Sequence, residues 1–136
     1  MEKADVVFCI TEGGETSSVI GAMLAAREQY GVLTKDTIEE ARHHLYFLYN
    51  NPDDLLKPFA RSRLVIENPA ITRINLTTGP QAITGSTRMQ ATTSATFIMG
   101  IILQETIRNL LEGIVDEEKI VRLGFPQKTE IGRAHV

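Results

Sequence analysis

Three short β-branched or aromatic runs, each followed by helical or loop-forming sequence, predict an α/β fold with a parallel, doubly wound sheet. The runs are residues 5–10 (Asp-Val-Val-Phe-Cys-Ile), 45–49 (Leu-Tyr-Phe-Leu-Tyr) and 72–78 (Thr-Arg-Ile-Asn-Leu-Thr-Thr). In two places a loop rich in glycine and hydroxyls feeds a small, apolar helical stretch, as happens where strands of a parallel sheet hand over to helices.

The first run enters Thr11-Glu12-Gly13-Gly14-Glu15-Thr16-Ser17-Ser18, and residues 19–26 then read as a helix capped by Thr16 or Ser17. Tyr30-Gly31-Val32 is a helix stop. The helix resumes with Asp36 as the expected cap and Glu39 at capping-box spacing. His43 and His44 are adjacent, so they point in different directions and define no ligand set; a solvated helix end is the reading, and no metal site is expected. After the second strand, Asn51 is the expected cap of a short helix with Pro52 at its first position, ended or kinked at Lys57-Pro58. Arg61 and Arg63 read as a solvated positive face paired with Glu67 or Asp54. The third strand alternates Ile74 and Leu76 with polar neighbours, as an edge or half-covered strand does.

The second loop runs from Gly79-Pro80-Gln81 through Thr84-Gly85-Ser86-Thr87-Arg88-Met89, and a long helix is expected from Thr92 to Leu111. Its front half, Phe97 to Leu103, is apolar nearly all round and predicts burial on several sides, which accounts for Phe97 and Met99 without any cofactor role. Gly113 is the expected stop, with a charged, irregular tail from Val115. Residues 130–136 coincide with an in-frame reading of a DNA-sequencing adapter, so this tail is expected to be non-native, and Arg133 and His135 carry no weight.

At 136 residues, 43% hydrophobic and 23% charged, the chain suits one core. A net charge of -3 argues against a general nucleic-acid or anionic-membrane surface, so any anion must be held locally. There is no apolar run of bilayer-spanning length, and Glu2, Lys3 and Asp5 interrupt any signal-peptide pattern. The lone Cys9 reads as a small buried hydrophobe in a reducing, cytoplasmic setting.

Both loops suit an anion. A helix start offers unpaired N–H groups and the positive end of the dipole, hydroxyls add donors, and Arg88 adds a planar fork that matches phosphate oxygens. The competing reading is an ordinary capped turn.

Ile10-Thr11-Glu12-Gly13-Gly14-Glu15-Thr16 resembles the Ile-Ser-x-Ser-Gly-Glu-Thr loop of sugar isomerase (SIS) domains. Gly79-Pro80 followed by Thr84-Gly85-Ser86-Thr87-Arg88-Met89 resembles the Gly-Pro-Glu-x-x-x-Gly-Ser-Thr-Arg-Met-Lys signature of the branch that holds N-acetylmuramic acid 6-phosphate etherase and the glucokinase regulatory protein. The resemblance spans about Asp5 to Leu111. Gly13 replaces a serine of the family loop, Gln81 a glutamate and Gln90 a lysine, so a phosphate-holding hydroxyl and two charges are lost.

The resemblance implies a flavodoxin-like SIS sheet, with residues 1–129 as its second part and the segments bearing the etherase's catalytic glutamates lying outside the chain. It implies binding of a phosphorylated sugar by Thr11, Glu12, Gly13, Gly14, Glu15 and Thr16, with Ser86, Thr87 and Arg88 lining the sugar or a dimer contact. It also implies a homodimer, no cofactor, and lyase chemistry only together with the missing segments. Glu12 and Glu15 stand on the right loop to replace the base, although carboxylates near a helix start are also favoured by the dipole alone. The alternatives are a non-catalytic sugar-phosphate sensor of the glucokinase-regulator type and a fragment of a sugar-phosphate isomerase or deaminase.

Overall fold

The computed structural model describes residues 2–3, 5–83 and 89–125. The chain forms two compact units, Met1–Ala95 and Thr96–Val136. In the first, β1 (Val7–Ile10), α1 (Ser17–Glu28), α2 (Lys35–Arg42), β2 (Leu45–Tyr49), α3 (Asp53–Leu56), α4 (Ala60–Ile66) and β3 (Thr72–Asn75) follow in order, and α5 (Gln90–Glu112) begins there. The strands make a parallel sheet in the order β1-β2-β3, with Cys9 opposite Phe47 and Tyr49 opposite Asn75. The fold is therefore α/β with a three-stranded parallel sheet flanked by helices.

Alternation along the strands divides the core. Val7, Cys9, Leu45, Phe47 and Tyr49 share one cluster with Ile20, Met23 and Ala26 of α1, Ala41 of α2, Leu56 of α3, and Val65 and Ile66 of α4. All four helices thus lie on one face, as right-handed crossovers that always step in the same direction require. The described strands wind one way only, so the reversal that would make the sheet doubly wound is not among them. The opposite face carries Phe8 and Tyr46, whose rings stack at 4.7 Å, and Leu48, which is fully buried. Cys9 is buried as expected, and burial pushes its thiol pKa up. β3 stands at an edge with alternate residues exposed, as its sequence pattern indicates.

Several element ends differ from expectation. α2 is capped by Thr34, not Asp36: Thr34 and Thr37 exchange backbone-to-side-chain bonds, and the Thr37 hydroxyl also donates to the Val32 carbonyl. Pro52, not Asn51, occupies the cap position of α3, because Asn51 is turned toward the first loop. The third strand stops at Asn75, whose side chain accepts from the Thr77 N–H and hydroxyl and folds the chain out of the ladder.

In the second unit, α5 runs on to Glu112 and α6 spans Glu117–Arg122, where an irregular tail was expected. Asp116 caps α6 by accepting from the Lys119 N–H at 3.0 Å. The buried Arg108 guanidinium meets Glu112 at 3.3 Å and Glu117 at 2.5 Å. The expected burial of the front of α5 is not found: Phe97 is 66% and Leu103 56% exposed. A helix can be apolar all round yet buried only where a layer covers it, and among the described residues this unit supplies one short helix besides α5. No helix among the described residues is long and apolar enough to cross a membrane.

Gly14 and Gly31 both have positive φ, at 81° and 64°, but only Gly14 is enclosed: an added Cβ would lie 2.6 Å from Cδ1 of the fully buried Leu56. Gly31→Ala should cost about 1 kcal/mol, for the backbone alone, whereas Gly14→Ala should cost about 2–4 kcal/mol because overpacking adds to the same strain. Urea unfolding of the two variants checks this, and equal losses would show that Leu56 yields freely.

Candidate functional site

The first loop is built onto the carboxyl end of the central strand. The Thr11 N–H donates to Leu48 O and the Asn50 N–H to Glu12 O, both at 3.0 Å, so the ladder between β1 and β2 continues past Ile10 into the turn. Asn51 Nδ2 then donates to Gly13 O at 2.9 Å, and the buried Ser62 hydroxyl donates to Gly14 O at 2.8 Å. These bonds engage the carbonyls of both glycines. Gly14 is in place because the positive φ and the Leu56 contact exclude a side chain.

The hydroxyls face a different task. Thr16 is the N-cap residue of α1, but its side chain caps nothing; its Oγ1 pairs instead with that of the buried Thr11 at 2.8 Å. The first turn of α1 accordingly has no side-chain cap and no acidic residue, and its orphan N–H groups retain the positive end of the dipole. Arg61 of α4 donates through Nη1 to Ser17 Oγ at this helix start. Of its expected partners, Asp54 is bound by Lys57 at 3.0 Å. Glu15 is exposed and borders, with Phe59 and Arg61, a cavity of about 280 Å³.

The start of α5 reaches the same rim. Thr92 donates through its hydroxyl to the Glu12 carboxylate, and Asn50 Nδ2 donates to Ser94 Oγ at 2.7 Å. Ser86, Thr87 and Arg88 lie outside the described residues. The structure thus gathers Thr11, Glu12, Thr16, Ser17, Asn50, Arg61 and Thr92 at the carboxyl end of the sheet, where parallel sheets bind ligands. Asn50 was not singled out from sequence, and Arg61 was read there as a solvated surface charge in preference to a ligand contact; their partners Ser17 and Ser94 are each 44 positions away, a separation no local pattern reports.

A second polar cluster was also missed. Tyr49 OH donates to Asp53 Oδ1 at 2.6 Å, Asn75 Nδ2 to the same oxygen at 2.8 Å, and Arg73 Nη1 to Asp53 Oδ2 at 2.9 Å. It borders a groove of about 680 Å³ beside β3 that Arg42, Glu67 and Asn68 also line. Parallel register explains the meeting, since Tyr49 and Asn75 are opposite each other and Arg73 is two residues earlier on the same face. No group of three or more His, Cys, Asp or Glu side chains suited to a metal occurs among the described residues. No family model matches the chain, nor does any curated protein or solved structure.

The cluster makes stability depend on pH at both extremes. The Tyr49 hydroxyl, aided by Asn75 and Arg73 and opposed by burial, holds the Asp53 carboxyl below its ordinary range. Burial, then the Asp53 bond and charge, pushes the Tyr49 phenol well above its ordinary range. A lowered carboxyl pKa gives stability that is present above the unfolded value of about 3.9 and is lost as pH falls through the folded value. A raised phenol pKa gives stability that is lost as pH climbs past about 10, where the unfolded chain ionises first. Unfolding free energy measured against pH should therefore fall at both ends. Asp53→Asn should flatten the acid limb and Tyr49→Phe the alkaline one; limbs unchanged in both variants would refute the assignment.

Proposed function

We propose that this chain is a sugar-phosphate-binding module with a SIS-like, flavodoxin-type sheet, related to the branch that contains N-acetylmuramic acid 6-phosphate etherase and the glucokinase regulatory protein. The observation that carries the reading is the open start of α1 beside Thr11, Thr16 and Arg61. Orphan N–H groups, a paired set of hydroxyls and a guanidinium together match a phosphate monoester, which presents several acceptor oxygens and a double negative charge. Each hydroxyl of the Thr11–Thr16 pair retains further bonding capacity, since one proton is shared between them and the other is available.

The start of α5 supports a sugar beside that phosphate. It is tied to the first loop through Glu12 and to β2 through Asn50, and Ser86, Thr87 and Arg88 precede it by a few positions in the sequence. In this reading Ser86, Thr87 and Arg88 line the sugar, and Gly13 and Gly14 shape the loop. Binding, not chemistry, is the function assigned. Glu12 is engaged by the Thr92 hydroxyl, Glu15 is exposed, and neither is given a chemical step.

Calorimetric titration with N-acetylmuramic acid 6-phosphate and with fructose 6-phosphate tests the proposal. At least one should bind saturably. Thr16→Val, which keeps the shape but removes the hydroxyl, should weaken it about five- to tenfold, the loss of one good hydrogen bond. Arg61→Ala should weaken it at least as much, and by less in high salt. The absence of binding by the parent protein, or full affinity in both variants, would rule the site out.

A further inference from the structure

We propose that Asn50 reads the hydroxyl-bearing part of the ligand, its side-chain carbonyl oxygen accepting a hydrogen bond from a sugar O–H; this rests on the sugar-phosphate reading and extends it from the phosphate to the sugar. Asn50 follows β2 directly and is only 4% exposed. Its N–H is used by Glu12 O, and its Nδ2 donates to Ser94 Oγ. The Ser94 hydroxyl donates to Ala91 O at 3.0 Å and accepts from Asn50 Nδ2 at 2.7 Å. With Nδ2 on Ser94, Oδ1 is turned the other way. Oδ1 is buried and has no hydrogen-bond partner among the described residues.

A desolvated acceptor without a donor is a net cost to the fold, and native structures hold few of them. The Nδ2 bond to Ser94 accounts for the nitrogen of the amide and leaves its oxygen unmatched. A second carboxamide has the same arrangement: Gln81, in the segment after β3, donates through Nε2 to Thr78 Oγ1 at 3.2 Å and leaves a buried Oε1 without a partner among the described residues. Both orphaned amide oxygens therefore follow a strand at its carboxyl end, and both are acceptors. A fully ionised phosphate monoester supplies no donor for either of them. A polyhydroxy compound does, and a sugar attached to the phosphate held at α1 would bring its hydroxyls toward the segment between the first loop and α5, where Asn50 stands. Oδ1 is closed off from water, so binding there includes a local displacement of the groups that cover it.

The test follows the side-chain amide signal of Asn50 and the backbone signals of Thr16 and Ser17 by NMR in the full chain. Three probes are added separately: inorganic phosphate, fructose and fructose 6-phosphate. The Asn50 signal is identified by its loss in Asn50→Ala. Fructose 6-phosphate should shift both sets, and inorganic phosphate only Thr16 and Ser17. Asn50→Ala should weaken fructose 6-phosphate about tenfold while leaving inorganic phosphate within about twofold. Should that variant fail to fold, the wild-type shifts decide. Loop shifts with fructose 6-phosphate but an unmoved Asn50 would overturn this inference and leave the phosphate site standing. An Asn50 shift with fructose but no loop shift with any phosphate would support Asn50 and overturn the phosphate site. No shift at either place would overturn both.

Discussion

β2 has a parallel neighbour on each edge, and its side chains are buried on both faces of the sheet. That position makes it the reference to which the other elements are registered. β1 and β3 take their register from it, and the helices that follow β1 and β2 fill the one face its odd-numbered residues present. Its carboxyl end does more than finish a ladder. Leu48 O, the Asn50 N–H and the Asn51 side chain each hold one peptide of the glycine loop, so the loop inherits the rigidity of the most buried strand. A ligand site built there needs little ordering when it is occupied, which is where much of the cost of binding otherwise falls.

That rigidity also divides the loop's residues by role. Gly13 and Gly14 have their carbonyls bound by Asn51 and Ser62, and a Cβ on Gly14 would crowd Leu56. They are conditions for the turn. Thr11 and Thr16 use their hydroxyls on each other in place of capping α1, which leaves the helix start open. A capping Thr16 would have satisfied one of those N–H groups and weakened any anion site. The same threonine type does cap α2, through Thr34 and Thr37, so the difference lies in where the chain turns the hydroxyl.

The strands were legible because β-branched and aromatic runs of four to six residues bounded by turn residues have few other structures open to them. Local hydroxyl chemistry was half legible. The spacing of Asp36 and Glu39 resembled a capping box, but Thr34 and Thr37 have that spacing too and gain a further acceptor in Val32 O. The burial of α5 was overread from Phe97 to Leu103, since hydrophobic pattern reports what a helix could cover, not what covers it. At the site, glycines and threonines stood next to one another and could be read. Arg61, Asn50 and the Tyr49–Asp53–Arg73–Asn75 cluster could not, because their meetings depend on crossover direction and strand register. Only the last left a trace, in the polar alternation of Arg73 and Asn75 along a strand otherwise paired to aromatics.

The net charge of -3 disfavours an anion at long range, yet the local distribution decides. Arg73 faces Asp53, Arg108 faces Glu112 and Glu117, and Arg122 faces Glu118, so in each case a carboxylate offsets the guanidinium. Arg61 is bonded instead to a neutral hydroxyl, at a helix start that carries a positive partial charge and no acidic residue in its first turn. Those two positive contributions add over a few ångströms, well inside the screening distance of physiological salt, whereas the surplus of carboxylates is spread over the surface. Glu12 is drawn toward Thr92 on α5, while the exposed Glu15 borders the same cavity as Arg61. A chain with a negative total can therefore present one rim that favours an anion, provided the loop keeps the hydroxyl of Thr16 off the helix it introduces.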